Sequence, residues 1–170
     1  MRSARPPGEG SGPATARAPR RPEERPPPEG IATQLAIEYL DYWSAPNPVA
    51  LDATPSFYAP RVEFHGRMMS ARALLEQKRR FVQRWPVRSY THRPETLQTT
   101  CHPADEICTV RTAFDFVAVS PERGRRSEGT GNLELEISVA GDVPVIVSET
   151  SRVTRRGRPA AATVLEDVDE

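Results

Sequence analysis

At Val87 the spacing of apolar side chains changes, and that change limits the fold more than any other feature of this 170-residue chain. Before it, apolar residues recur at intervals of three and four, as on one face of a helix; after it they alternate, as in a strand. Residues 31–43 place Ala32, Leu35, Ala36, Tyr39, Leu40 and Trp43 on one helical face. Asn47-Pro48 reads as the start of a short second helix, with Asn as cap and Pro in the first turn. Pro55 is expected to end it. Residues 61–65 alternate as a short strand that stops at Gly66. A third helix is expected over 70–85, capped by Ser70 and ended by Pro86. Its apolar face is Ala71, Leu74, Leu75, Phe81, Val82 and Trp85, and its polar face is Arg72, Glu76, Arg79, Arg80 and Gln83.

Four long strands follow, over 87–100, 107–119, 126–139 and 143–155, the first twisted or bulged near Pro94. In the third, Leu133, Leu135, Ile137 and Val139 point one way and Asn132, Glu134, Glu136 and Ser138 the other. Pro121-Glu122-Arg123-Gly124 makes one turn, and Gly141-Asp142 reads as a tight hairpin. Helices segregated before an antiparallel meander imply an α+β fold, with the helices packed on one face of a bent sheet.

Composition matters mainly at the ends. Eight of the 18 prolines lie in residues 1–30, with almost no large apolar side chain among them. Such a segment buries too little surface to offset its ordering entropy, so 1–30 is expected to be a disordered arm. The domain is expected over 31–156, and 157–170 as a disordered acidic tail. The 23 basic and 23 acidic residues cancel, which argues against an electrostatic grip on nucleic acid. The one local basic string, Arg79, Arg80, Arg84 and Arg88, reads as a solvated helix face. Lys78 is the only lysine, a bias attributed to genome composition. No apolar run is long enough to span a membrane. The first residues do not read as a signal peptide, so the expected compartment is the cytoplasm, with export if the true start lies elsewhere.

Three stretches carry a family resemblance: Ser44-Ala45-Pro46-Asn47, the run Phe57-Tyr58-Ala59-Pro60-Arg61-Val62-Glu63-Phe64-His65-Gly66, and Lys78-Arg79-Arg80-Phe81 with Arg84-Trp85-Pro86-Val87-Arg88-Ser89-Tyr90. Over residues 31–156 the chain resembles bacterial proteins of the nuclear-transport-factor-2-like superfamily, which includes SnoaL-like cyclases, ketosteroid isomerase and scytalone dehydratase. The resemblance implies a cone: a strongly curved sheet around a long helix, with a pocket at the open end and dimerisation through the sheet. This fold hosts enzymes and binding modules alike, so it does not decide function.

Enzymes of that superfamily place a carboxylate or a His–Asp pair inside the cone. Glu149 shares strand parity with Val145, Val147 and Val153 and is the first candidate. Burial of a carboxylate favours its protonated form, which suits acid–base work. Asp115, between Phe114 and Phe116, is the second. His65, beside Gly66 near the cone mouth, is the third and could move a proton near neutral pH. Tyr42, Trp43, Phe57, Tyr58 and Trp85 are candidate pocket walls, or core packing. Cys101 and Cys108 face one another if the turn centres on Ala104-Asp105, which permits a disulfide; reduced thiols are the alternative. This pair lacks the two further ligands a zinc site needs. No cofactor is expected. The leading expectation is a cone domain binding a small apolar ligand or a protein partner. The alternatives are a SnoaL-like isomerase, cyclase or dehydratase, and an interaction module that docks through its arm.

Overall fold

In the computed structural model, which describes residues 25–157, three helices and seven strands build the domain. They are α1 (Pro28–Ser44), α2 (Asn47–Phe57), β1 (Tyr58–Phe64), β2 (Arg67–Ser70), α3 (Ala71–Arg84), β3 (Val87–His92), β4 (Gln98–His102), β5 (Ile107–Ser120), β6 (Arg125–Ser138) and β7 (Val145–Arg156). The strands form one strongly curved mixed sheet in the order β2-β1-β7-β6-β5-β3, with β4 also paired to β5. The fold is α+β, and the period change at Val87 marks the passage from helices to meander.

The long strands run as the alternation requires. Along β6, Leu133, Leu135 and Ile137 are buried and face the helices. On α1 the buried residues are the six expected. Ser70 caps α3, its hydroxyl accepting from the Ala73 N–H at 3.1 Å.

Several local expectations are corrected. The sheet is not wholly antiparallel, because β1 returns beside β7 in parallel. Helix α1 begins at Pro28, three residues inside the expected arm, since proline suits a first turn; the rest of the arm, residues 1–24, and the tail from 158 lie outside the described residues. Asn47 is not a cap. Its amide is spent on tertiary contacts, donating to the Val82 carbonyl at 3.1 Å and accepting from Arg88 at 2.6 Å. Pro55 sits inside α2, which runs only two residues past it. The Thr54 and Ser56 hydroxyls there donate to the carbonyls of Ala50 and Ala53. The expected strand 87–100 is two strands, parted at Pro94 by a turn of 3-10 helix. The Gly141-Asp142 hairpin is not tight: residues 139–144 lie outside both strands. Arg88 does not belong to a solvated face either. It is buried and donates to the carbonyls of Trp43, Ala45 and Trp85, clasping the end of α1 to the entry of β3.

Candidate functional site

Four side chains from four elements meet at the floor of the cone. Glu149 comes from β7, Lys78 from α3, Tyr39 from α1 and Tyr58 from the start of β1. All four are buried. Tyr39 donates its hydroxyl to Glu149 Oε1 at 2.6 Å, and Tyr58 donates to Oε2. Lys78 Nζ donates to Glu149 Oε1 at 3.1 Å and to the Tyr39 oxygen at 2.9 Å. Among the described residues no buried side-chain nitrogen or oxygen lacks a partner, so the network is closed, which buried polar groups require.

The backbone explains why these residues converge. Leu74, Lys78 and Val82 are spaced by four and form the buried stripe of α3, with the lysine between two apolar neighbours. On β7 a bulge interrupts the pairing with β6. Glu136 faces Ser148 but Ile137 faces Ile146, leaving Val147 extra. The extra residue reverses the alternation, so Ile146 and Glu149 both point into the cone although they are three apart. The turn between β1 and β2 is the two-residue loop His65-Gly66, both at positive φ (50° and 76°), the geometry of a type I′ hairpin. It hangs at the rim, where the His65 N–H donates to the Glu149 carbonyl at 2.9 Å.

Above the network lies a cavity of about 300 Å³. Trp43, Phe64, Phe81, Tyr90, Phe114 and Leu133 make most of its wall, with Glu149 and Lys78 as its charged members and His65, Gln77 and Ser151 at its polar margins. The Lys78 ammonium is also enclosed by rings, 4.6 Å from the centroid of Trp43 and 5.2 Å from that of Phe64, favourable cation–π distances.

Burial sets the proton affinities. The Tyr39 and Tyr58 hydroxyls are pushed well above the ordinary tyrosine range, first by desolvation and then by the charge of Glu149. They therefore remain donors to the carboxylate. Tyr90 is pushed up to about 12, again chiefly by burial. Burial lowers Lys78, and the Glu149 charge and hydrogen bond act against that lowering. Desolvation thus pushes this cation toward neutrality, and one carboxylate opposes the push.

The expected site residues have separate fates. Glu149 is the hub, but not for the parity argued from Val145 and Val147, which are only half-buried. His65 is an exposed rim residue whose ring packs edge-on to Phe64 at 4.3 Å. Asp115 does not join the site. It lies on the outer face of β5 and takes both a 2.8 Å and a 3.1 Å bond from Arg93. Trp43 lines the cavity, and Tyr58 binds Glu149. Phe57 packs behind Tyr39, at 5.8 Å between centroids, with half-exposed Tyr42 against it. Trp85 ends α3 away from the cavity, its carbonyl bound by Arg88. Cys101 and Cys108 are directly opposed across β4 and β5, Cα atoms 4.0 Å apart, and joined as a disulfide. The sequence reading missed Lys78 as a site residue and used Tyr39 only as helix packing. The four-residue spacing from Leu74 to Lys78 to Val82 was the available signal.

Solved structures place this architecture. A nuclear-transport-factor-2-like superfamily protein from Salmonella enterica superposes with a TM-score of 0.60 at 12% identity, covering 82% of this chain and 96% of that one. The chain has the nuclear-transport-factor-2-like cone fold. A cystatin-like protein from Caulobacter vibrioides matches this fold with a TM-score of 0.59 at 12% identity, over 74% of this chain and 89% of that one. A Novosphingobium aromaticivorans protein named as a candidate scytalone dehydratase gives 0.62 at 7% identity, over 75% and 85%. No protein-family model and no curated protein matches the chain in sequence. At these identities the likeness concerns the cone itself, and the residues of its floor must be read from their own geometry. No helix among the described residues is long and apolar enough to cross a membrane.

Proposed function

We propose that the protein binds a small, uncharged, largely apolar molecule in the mouth of the cone, with a hydrogen-bond acceptor of that molecule directed at Lys78. One observation carries this reading. The cavity is walled by aromatic and aliphatic side chains, and its Lys78 and Glu149 charges cancel at 3.1 Å. A charged ligand would lose its hydration without gaining a free counter-ion. A neutral ligand loses little, and its carbonyl or hydroxyl oxygen can take an ammonium proton. The volume, about 300 Å³, is at the small end of ligand sites and suits one or two rings.

Thermal unfolding with matched pairs of compounds tests the proposal. Acetophenone or cyclohexanone at a hundred times its Kd should stabilise the fold by about 2.7 kcal/mol. Benzoate and benzylamine at equal concentration should leave it unchanged. A stronger response to the charged compounds would overturn the reading.

A second reading, acid–base turnover of the bound molecule, is favoured by the convergence of ionisable groups in one partly apolar cavity. Glu149 and Lys78 are in hydrogen-bond contact, which supports a SnoaL-like isomerase, cyclase or dehydratase chemistry with this pair as its acid and base. Turnover of an activated ketone that ends in Glu149→Gln would separate this from binding alone. Self-association through the outer face of the sheet belongs to the same proposal: Ala113, Val117 and Val119 are only half-buried there. Sedimentation equilibrium measures it directly.

A further inference from the structure

We infer that Lys78 is an imine-forming amine, and that the molecules the cavity takes are small apolar aldehydes and ketones which it captures reversibly through that nitrogen. The inference rests on the ligand-binding reading above and adds the covalent step.

Three observations carry it. First, Lys78 is the only lysine in a chain whose other 22 basic residues are arginine. An arginine in its place would match Glu149 with a planar fork and would never give up its proton, whereas a buried lysine can become a neutral nucleophile. Second, the nitrogen borders the cavity instead of being sealed behind it. It shares the lining with Trp43, Phe64 and Phe114, and its side chain keeps 11% of its surface exposed. A small carbonyl compound in the cavity lies beside it. Third, its proton has somewhere to go. Glu149 Oε1 is 3.1 Å away and the Tyr39 oxygen 2.9 Å away, while the two tyrosine hydroxyls hold the carboxylate in place. Burial, which lowers Lys78, acts in the direction the chemistry needs.

The step balances on these groups alone. The ammonium of Lys78 passes a proton to the Glu149 carboxylate, giving an amine and a carboxylic acid. The amine lone pair forms the C–N bond to the carbonyl carbon, and a proton moves from nitrogen to oxygen to give the carbinolamine. Glu149 returns its proton to that hydroxyl, the C–O bond breaks and water leaves. The product is a protonated imine on Lys78 beside the regenerated carboxylate, so one positive charge is present before and after. No oxidant, reductant or metal enters.

Reductive trapping tests this on the unmodified full chain. The protein is incubated at pH 7 with benzaldehyde and sodium cyanoborohydride, digested, and mapped by mass spectrometry for a benzyl group. The internal standard for Lys78, the only lysine of the sequence, is the α-amine at the N-terminus of the chain under test. An ordinary lysine at pH 7 is neutral in roughly one molecule in 2,500, so the α-amine has about a 300-fold advantage in neutral fraction if Lys78 is ordinary and should take most of the label. The inference expects the reverse in the folded protein, with one benzyl group on the Lys78 peptide, and reversion to α-amine labelling in guanidinium chloride. Lys78→Arg, which keeps the charge, should lose the label, and Lys78→Met should lose it also. In parallel, benzyl alcohol, which has no carbonyl, is tested for a rise in melting temperature. Labelling of the α-amine alone, with benzyl alcohol bound, overturns the imine and leaves the binding reading intact. Labelling of the α-amine alone with no response to benzyl alcohol overturns both.

Discussion

Glu149→Gln removes the only carboxylate, among the described residues, within reach of a buried ammonium and should be costly in a calculable way. Lys78 lies 3.1 Å from Glu149 and is almost wholly buried, and breaking one partner of such a pair typically costs about 3–5 kcal/mol. A second estimate follows from the lysine itself. Without the carboxylate it can fold neutral, and discarding the proton of a lysine with an ordinary pKa of about 10.4 costs about 4.6 kcal/mol at pH 7. A loss of about 3 to 4.6 kcal/mol is therefore expected. For a domain of this size it lowers the melting temperature by roughly 10–15 °C.

The same reasoning fixes a pH dependence. Burial lowers Lys78, and the Glu149 contacts that oppose the lowering are gone in the variant. Wherever the unfolded lysine holds a proton that the folded one has shed, the unfolded state binds more protons and stability rises with pH. The slope is at most about 1.4 kcal/mol per pH unit, for one proton of difference, and ends where the unfolded lysine itself titrates. Between pH 7 and 9 the variant should recover up to about 2.7 kcal/mol relative to the wild type at the same pH, a difference that cancels groups common to both. Urea unfolding at pH 7, 8 and 9 measures this. Lys78→Met/Glu149→Gln, with no amine to titrate, should show no such slope and should regain most of the loss. A loss under about 1 kcal/mol, or a difference from wild type that is flat over the two pH units, would refute the dry, paired floor described here.

Arg88→Lys should destabilise by about 3 kcal/mol, because a single ammonium cannot reach the carbonyls of Trp43, Ala45 and Trp85 together and leaves buried acceptors unmet; chemical denaturation reads this. In Gly131→Ala the new Cβ would lie 2.5 Å from the Phe114 ring and 2.9 Å from the Arg152 carbonyl oxygen. A loss of about 1–3 kcal/mol follows, together with altered ligand response, since Phe114 lines the cavity. Reduction of Cys101–Cys108, seven residues apart, should cost at most about 2.5 kcal/mol because the loop it closes is short. Ellman titration of the unfolded, unreduced chain should find no thiol.

The order of elements was readable because each long segment obeys one period from end to end. The errors sit where a single residue departs from its period. Pro94 divides one alternating run into two strands because it breaks the ladder, not because the pattern fades. Lys78 is hard to read as a site residue because a charged side chain is seldom buried, although its spacing from Leu74 and Val82 is that of a buried residue. Glu149 was reached by a parity that is wrong for the strand on its N-terminal side. Nothing in the run Val145-Ile146-Val147-Ser148 announces the bulge, because the extra residue is placed by pairing with β6.

Asp115 and Glu149 show how much that one residue decides. Both are acids on long strands among apolar neighbours. Asp115 keeps the unbroken alternation of β5 and falls on the outer face, where Arg93 satisfies it near solvent. Glu149 follows the bulge and falls inside. There the cation it meets, Lys78, must share its desolvation. Pairs of that kind seldom stabilise a fold as well as apolar side chains of the same volume, so holding α3 against the sheet is a poor reason for having one. The same pair borders the cavity, and it supplies a proton donor and a proton acceptor in contact within an otherwise apolar site. The double variant sets these two explanations against each other. A structural role predicts that Lys78→Met/Glu149→Gln unfolds more easily and binds as before. A chemical role predicts stability near that of the wild type, with the response to carbonyl compounds gone.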